Sequence, residues 1–248
     1  MTEIFHRTQL AQDIARQLLK PSVLDLELRS GLFMFGPRRT GKTTFLIHDL
    51  VPALEEGGAL VVYLNLSGAL RDSSIEMVQG AIREALRSTK SEAPRSALDV
   101  GLENLGLVGE TTLSEALQTL VDRAMIDIVL IVDEVQEAVS TVEGQRLLLA
   151  LKAARDAINT RSVTPGYFLF IGACSSRTAC IEMTRGNSQA FLGAVCMTYP
   201  LLERDYVEFL LERLHKEGHH SLPTIAVAEQ LFRTLKHKPE ELAHALLT

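Results

Sequence analysis

The chain has 248 residues, 46% hydrophobic and 23% charged, which suits one large globular domain or one domain with a small appendage. A net charge of −6 excludes a wholly basic coat for nucleic acid, although a local basic face stays open. Aromatics reach only 5% with no Trp, so the core must be built from Leu, Val, Ile and Ala. The cysteines Cys174, Cys180 and Cys196 show no C-x-x-C pairing and are expected to be buried small hydrophobes in a reducing compartment. The N-terminus "MTEIFHRTQLAQDIARQLLK" has scattered charges and no apolar signal core, and no window approaches the roughly 18 apolar residues of a membrane span. The expectation is a cytoplasmic protein.

In chain order, Leu10, Ile14, Ala15, Leu18 and Leu19 form a helical stripe over 8–20 that Pro21 ends. "LFMF" (32–35) reads as a strand buried on both faces. A helix follows from Thr43 to about Glu56, where Gly57-Gly58 stops it, and Pro52 implies a kink or an early end. "ALVVYLNL" (59–66) is a second buried strand. Residues 73–88 have helical spacing, and 89–112 read as a polar insertion. A helix over 113–125, with Ser114 as its cap, feeds the strand "IDIVLIVDEV" (126–135). A helix over 143–159, strands over 167–173 and 194–199, and helices over 203–217, 224–236 and 239–247 complete the pattern. Strands alternating with helices imply an α/β fold with a parallel sheet covered on both faces. The expected division is an N-terminal helical segment (1–30), an α/β core (31–200) and a small helical lid (201–248).

"GPRRTGKT" fits G-x-x-x-x-G-K-[ST] between an apolar strand and a helix. Gly36 and Gly41 let the backbone curl so that amides point inward, and the helix N-terminus adds positive potential. Pro37, Arg38, Arg39, Thr40 and Thr44 complete a cradle for the phosphates of ATP. Lys42 is placed to reach the β- and γ-phosphates, and the Thr43 hydroxyl to ligate Mg²⁺. Arg38 and Arg39 are read as a solvated loop tip.

"VLIVDEVQ" sets Asp133 and Glu134 where the apolar run from Ile128 to Val132 stops. A carboxylate at the C-terminal end of a parallel strand faces the crevice where open α/β sheets bind ligands. Asp133 suits Mg²⁺, and Glu134 is placed to deprotonate an attacking water.

Together, "GPRRTGKTT" and "LIVDEVQ", with the strand "ALVVYLNL" between them, resemble the additional-strand P-loop ATPases. Within these the chain is similar to the AAA+ superfamily and its archaeal-type ATPase-like branch, which carries a D-E-[IV]-Q motif. The resemblance covers roughly residues 30 to 245. It implies a five-stranded sheet in order 5-1-4-3-2, ATP hydrolysis and a helical lid over the nucleotide. It also implies a polar sensor in "GACSSRT", with Ser175 chosen and Ser176 the alternative. Ala194 stands where many relatives carry an arginine, so Arg185, or else Arg177, is the candidate arginine finger acting on an adjoining subunit. In "LKHKPEELAHAL", Lys236 or Lys238 is the candidate second sensor, and Gln136 a candidate active-site contact.

The seven histidines lack metal-ligand spacing and read as solvated, and "HRTQLAQD" reads as a helix face. The expected activity is ATP hydrolysis that drives a conformational cycle on a protein partner or on further copies of the chain. The alternative is a slowly hydrolysing or non-hydrolysing nucleotide-dependent switch. A metabolite kinase is disfavoured because no arginine-rich lid is present. DNA is a possible partner that no sequence feature supports.

Overall fold

A run such as "IVLIVD" has no polar side to turn to solvent, so it can persist only as a strand covered on both faces. The computed structural model, which describes residues 3–21, 23–67, 78, 80, 113–185 and 190–247, places it in the middle of such a sheet. The strands are β1 (Leu32–Phe35), β2 (Leu60–Asn65), β3 (Ile128–Asp133), β4 (Phe168–Cys174) and β5 (Val195–Thr198). Their spatial order is β2-β3-β4-β1-β5 and every pairing is parallel, as expected. Register aligns Phe35 with Cys174 and Asn65 with Asp133, so the strands end along one edge.

Helix α1 (Thr8–Leu19) and the helix after β1 cover one face, burying Ile14, Leu18, Phe45, Leu46 and Leu50 against Met34, Val129 and Ile171. The opposite face is covered by α4 (Leu113–Ala124), α6 (Val142–Asn159) and α7 (Arg177–Arg185). There Phe33, Phe170 and Phe191 form a cluster in which Phe170 stacks on Phe191 with centroids 4.2 Å apart. Beyond β5, α8 (Arg204–Lys216), α9 (Ile225–Thr234) and α10 (Pro239–Leu247) enclose a third core around Val207, Leu210, Phe232 and Leu242.

The helix after β1 is composite. It runs as α2 (Lys42–Phe45), widens through a π-helical turn (Leu46–Leu50) and resumes as α3 (Val51–Glu56). Pro52 accounts for this: it has no N–H to continue the ladder, and the Val51 N–H bonds instead to the Leu46 carbonyl. The expected kink is therefore a π turn. Ser114 lies inside the first turn of α4, where its hydroxyl accepts from Gln118, and so does not serve as the expected cap. The 3₁₀ segment Val23–Ser30, α5 (Gln136–Val139) and α7 are additions to the elements predicted. The helix predicted over 73–88 and the insertion over 89–112 lie outside the described residues, apart from positions 78 and 80.

All three cysteines are free thiols. Cys174 and Cys180 are buried, and burial pushes the half-buried Cys196 up to about 11. No helix among the described residues is long and apolar enough to cross a membrane.

Candidate functional site

The shared strand edge brings the two motifs together. β1 ends at Phe35, and the Gly36 N–H donates to the carbonyl of Cys174, which fastens the loop to the end of β4. A Cβ on Gly36 would lie 3.1 Å from both Lys42 Cδ and Tyr199 Cβ, so a side chain there would displace the lysine. Gly41 caps α2 with φ 89°, a left-handed conformation that glycine adopts without strain. Within the loop, the buried Thr40 hydroxyl donates to the Pro37 carbonyl.

Lys42 is 5% exposed, and its ammonium donates to the carbonyls of Gly36 (2.6 Å) and Pro37 (3.0 Å). Burial holds it below the ordinary lysine range, while Glu134 and Asp133 pull it back up. Its cation is therefore held inside the loop by carbonyls, with the charges of Glu134 and Asp133 acting on it from beside the loop.

From β3, Asp133 is fully buried and gathers three donors. The Thr43 hydroxyl (2.6 Å) and the Tyr63 hydroxyl (3.1 Å) donate to Oδ2, and the Glu134 N–H donates to Oδ1 (2.9 Å). Tyr63, from β2, was not anticipated; burial and then the Asp133 charge push its phenol well up. The chain turns sharply after Asp133, with Glu134 in the left-handed region at φ 53°. Glu134 Oε2 accepts from the Ser175 hydroxyl (3.0 Å) and from the Gln136 amide. Gln136 also donates to Ser175 Oγ (3.1 Å).

Of the sensor candidates, Ser175 therefore joins the acids, whereas the Ser176 hydroxyl accepts from the Ala179 N–H and caps α7. Arg38 is a further departure from expectation. Although 70% exposed, it folds back so that Nε donates to Ser175 Oγ at 3.3 Å and a terminal nitrogen lies 4.0 Å from Glu134. Arg185, the candidate finger for an adjoining subunit, ends α7 exposed, on the side of Cys196 and outside its own chain's cleft. Lys238 pairs with Glu241 at 2.7 Å and Lys236 is exposed; the bundle residues that border the cleft over Gly41 and Lys42 are Pro239 and Glu240.

That cleft has a volume of about 310 Å³ and runs over Gly41, Lys42, Thr43 and Glu134. A second cavity of about 180 Å³ adjoins it, sharing Gly41, Thr44 and Pro239, and is walled by Phe5, Arg7, Tyr199 and Tyr206. The segment that supplies Phe5 and Arg7 to this wall corrects two expectations. His6 and Arg7 precede α1 rather than forming its face, and His6 is not merely solvated, because its Nδ1 lies 2.7 Å from Asp49. His237 likewise has a partner, the Leu202 carbonyl at 2.7 Å.

A family model described as an ATPase domain predominantly from Archaea matches residues 19–243. The chain belongs to this ATPase family. Its sheet order and helical bundle are those of an AAA+ fold. Among solved structures, the chain is similar to the Aeropyrum pernix ORC2 protein in its ADPNP–ADP complexes, with a TM-score of 0.58 and 18% identity over 92% of this chain and 56% of that one. It is also similar to the A. pernix ORC1 protein in complex with DNA, with a TM-score of 0.54 and 18% identity over 99% of this chain and 59% of that one. This ATPase domain thus spans a little over half the length of either structure, and at such identity what it shares with them is the fold. No curated protein matches the sequence at a significant level.

Proposed function

We propose that this ATPase domain binds ATP with Mg²⁺ and hydrolyses it, using the cycle to change its conformation against a macromolecular partner. The observation that carries this reading is the hydrogen bond from Thr43 to Asp133, which joins the phosphate loop to the acidic strand end with Glu134 beside them. A hydroxyl and a carboxylate suit a Mg²⁺ ion, which keeps several waters and takes its other ligands from phosphates. Thr43 and Asp133 would hold it, and when bound it neutralises phosphate charge. Lys42 exchanges its two loop carbonyls for the β- and γ-phosphates. Glu134 accepts the proton of the attacking water, and Ser175 and Gln136 orient its carboxylate. The adjoining apolar and aromatic cavity accommodates the base. Residues 201–248 act as a lid, a role supported by Pro239 and Glu240 at the cleft.

Phosphate release from purified protein tests this reading. Lys42→Ala should abolish nucleotide binding, and Glu134→Gln should retain binding while losing turnover. Hydrolysis unchanged in Glu134→Gln would remove that residue from the mechanism.

A second reading, a slow nucleotide-dependent switch, is favoured by one observation: Glu134 Oε2 is already held by Ser175 and Gln136, with Arg38 close by. Turnover measured with and without candidate partners separates the two readings. These partners include further copies of the chain and duplex DNA, the latter because the ORC1 neighbour was solved with DNA.

A further inference from the structure

Asp49 sits on the π-helical turn of the helix that follows the phosphate loop, and it is 6% exposed. A buried carboxylate is tolerated only where its oxygens are satisfied. Both partners of Asp49 come from one short segment at the start of the described chain. The His6 imidazole meets Oδ1 at 2.7 Å, and the Arg7 N–H donates to Oδ2 at 3.1 Å.

That segment is anchored at two further points. Phe5 packs edge-on to Tyr206 and against Phe209, with centroids 5.6 and 5.3 Å apart, which attaches it to the helical bundle. The Arg7 guanidinium donates to the Pro200 carbonyl at 2.5 Å and lies over the Tyr199 ring, where β5 gives way to the bundle. Residues 5–7 thus form a strap across three elements, and Asp49 is its tie to the phosphate-loop helix. The inner side of the strap is a wall of the 180 Å³ cavity, whose floor is Gly41 and Thr44.

We propose that Asp49 is a positioning residue for nucleotide binding: through His6 and the Arg7 amide it fixes the strap that closes the base side of the site. This rests on the nucleotide reading given above. Asp49 need not touch the nucleotide. Without it the strap loses both of its polar ties to the loop helix, and the bound state must order strap residues that are now already in place, an entropic penalty that appears in affinity.

The test is calorimetric titration of the full chain with Mg-ADP, giving dissociation constant and stoichiometry together, with dissociation rates from displacement of a fluorescent ADP analogue. Asp49→Ala is expected to raise Kd about ten-fold, through faster dissociation, with one site per chain retained. Asp49→Asn keeps an acceptor for the Arg7 amide and should recover part of the loss. His6→Ala alters a side chain that is 55% exposed and safe for folding, and should raise Kd about three-fold. A merely structural role for Asp49 would lower the number of competent sites and leave the Kd of the remainder unchanged. That result, or wild-type Kd in both His6→Ala and Asp49→Asn, overturns the proposal. If Asp49→Ala does not fold, those two variants decide. Wild-type protein that binds no adenine nucleotide overturns the nucleotide reading itself, and the tether falls with it.

Discussion

The Thr43 hydroxyl donates to the Asp133 carboxylate at 2.6 Å across 90 residues of chain. Each is placed by its own element: Thr43 is in the first turn of α2 and Asp133 is the last residue of β3. The contact exists because β1 and β3 flank β4 with their ends aligned. Two oxygens with separate backbone supports are thereby held at one point beside the phosphate loop.

If those two oxygens are the protein's share of a Mg²⁺ site, losing either should remove the metal's effect on affinity. Thr43→Val and Asp133→Asn are each expected to bind ATP equally with and without Mg²⁺. The double variant should be no worse than the poorer single one, because both act on one ion. Calorimetry in Mg²⁺ and in EDTA checks this, and additive losses would place the two residues in separate roles.

The Glu134 cluster gives a graded expectation for turnover. Glu134→Gln removes the proton acceptor and should lower kcat by at least about 10²-fold. Ser175→Ala and Gln136→Ala remove donors that aim it, and each should cost about ten-fold or less in kcat with little change in KM. Steady-state phosphate release reads both parameters. If the donors instead restrain Glu134, as the switch reading has it, Gln136→Ala will raise kcat.

The phosphate loop and the acids of β3 were legible because each motif is contiguous and flanked by apolar strands that fix its place on the sheet edge. The sheet order followed from the same strands through the resemblance to a family. The strap was not legible. His6 and Arg7 look like the polar face of α1 until Asp49, 43 residues from His6, is seen to be buried against them. A carboxylate among Phe45, Leu46 and Leu50 in a helix that packs on the sheet was the available signal. Tyr63 escaped for a similar reason: in "ALVVYLNL" it reads as one more apolar strand position, and only its registry beside β3 turns its hydroxyl into a partner for Asp133.

The Phe170–Phe191 stack makes a prediction for stability. Both rings are fully buried, and Phe191 joins the segment after α7 to the sheet. Phe191→Ala leaves a ring-sized void beneath Phe33 and Phe170, and should cost roughly 3–5 kcal/mol in urea denaturation. Leu192→Ala, one residue along and exposed, should cost under about 0.5 kcal/mol. Comparable losses at both sites would mean the segment is not packed as described.

Lys42 gives an expectation for pH. Burial lowers its affinity for a proton in the free protein, and bound phosphates would raise it again. Binding then takes up a proton whenever the pH lies between the free and bound values, so nucleotide affinity falls as pH rises through the lowered free value. This fall should begin below the 10.5 of an unperturbed lysine. The stability of the free protein moves the other way. A lysine with a lowered pKa in the folded state contributes most favourably above its unfolded value, and that contribution is lost as pH falls through the folded one. Titrating ADP on the alkaline side in two buffers of different ionisation enthalpy measures the uptake directly. The heats should differ between buffers for the wild type and agree for Lys42→Arg, whose guanidinium stays charged throughout. Equal heats for the wild type would mean that the ammonium meets no phosphate.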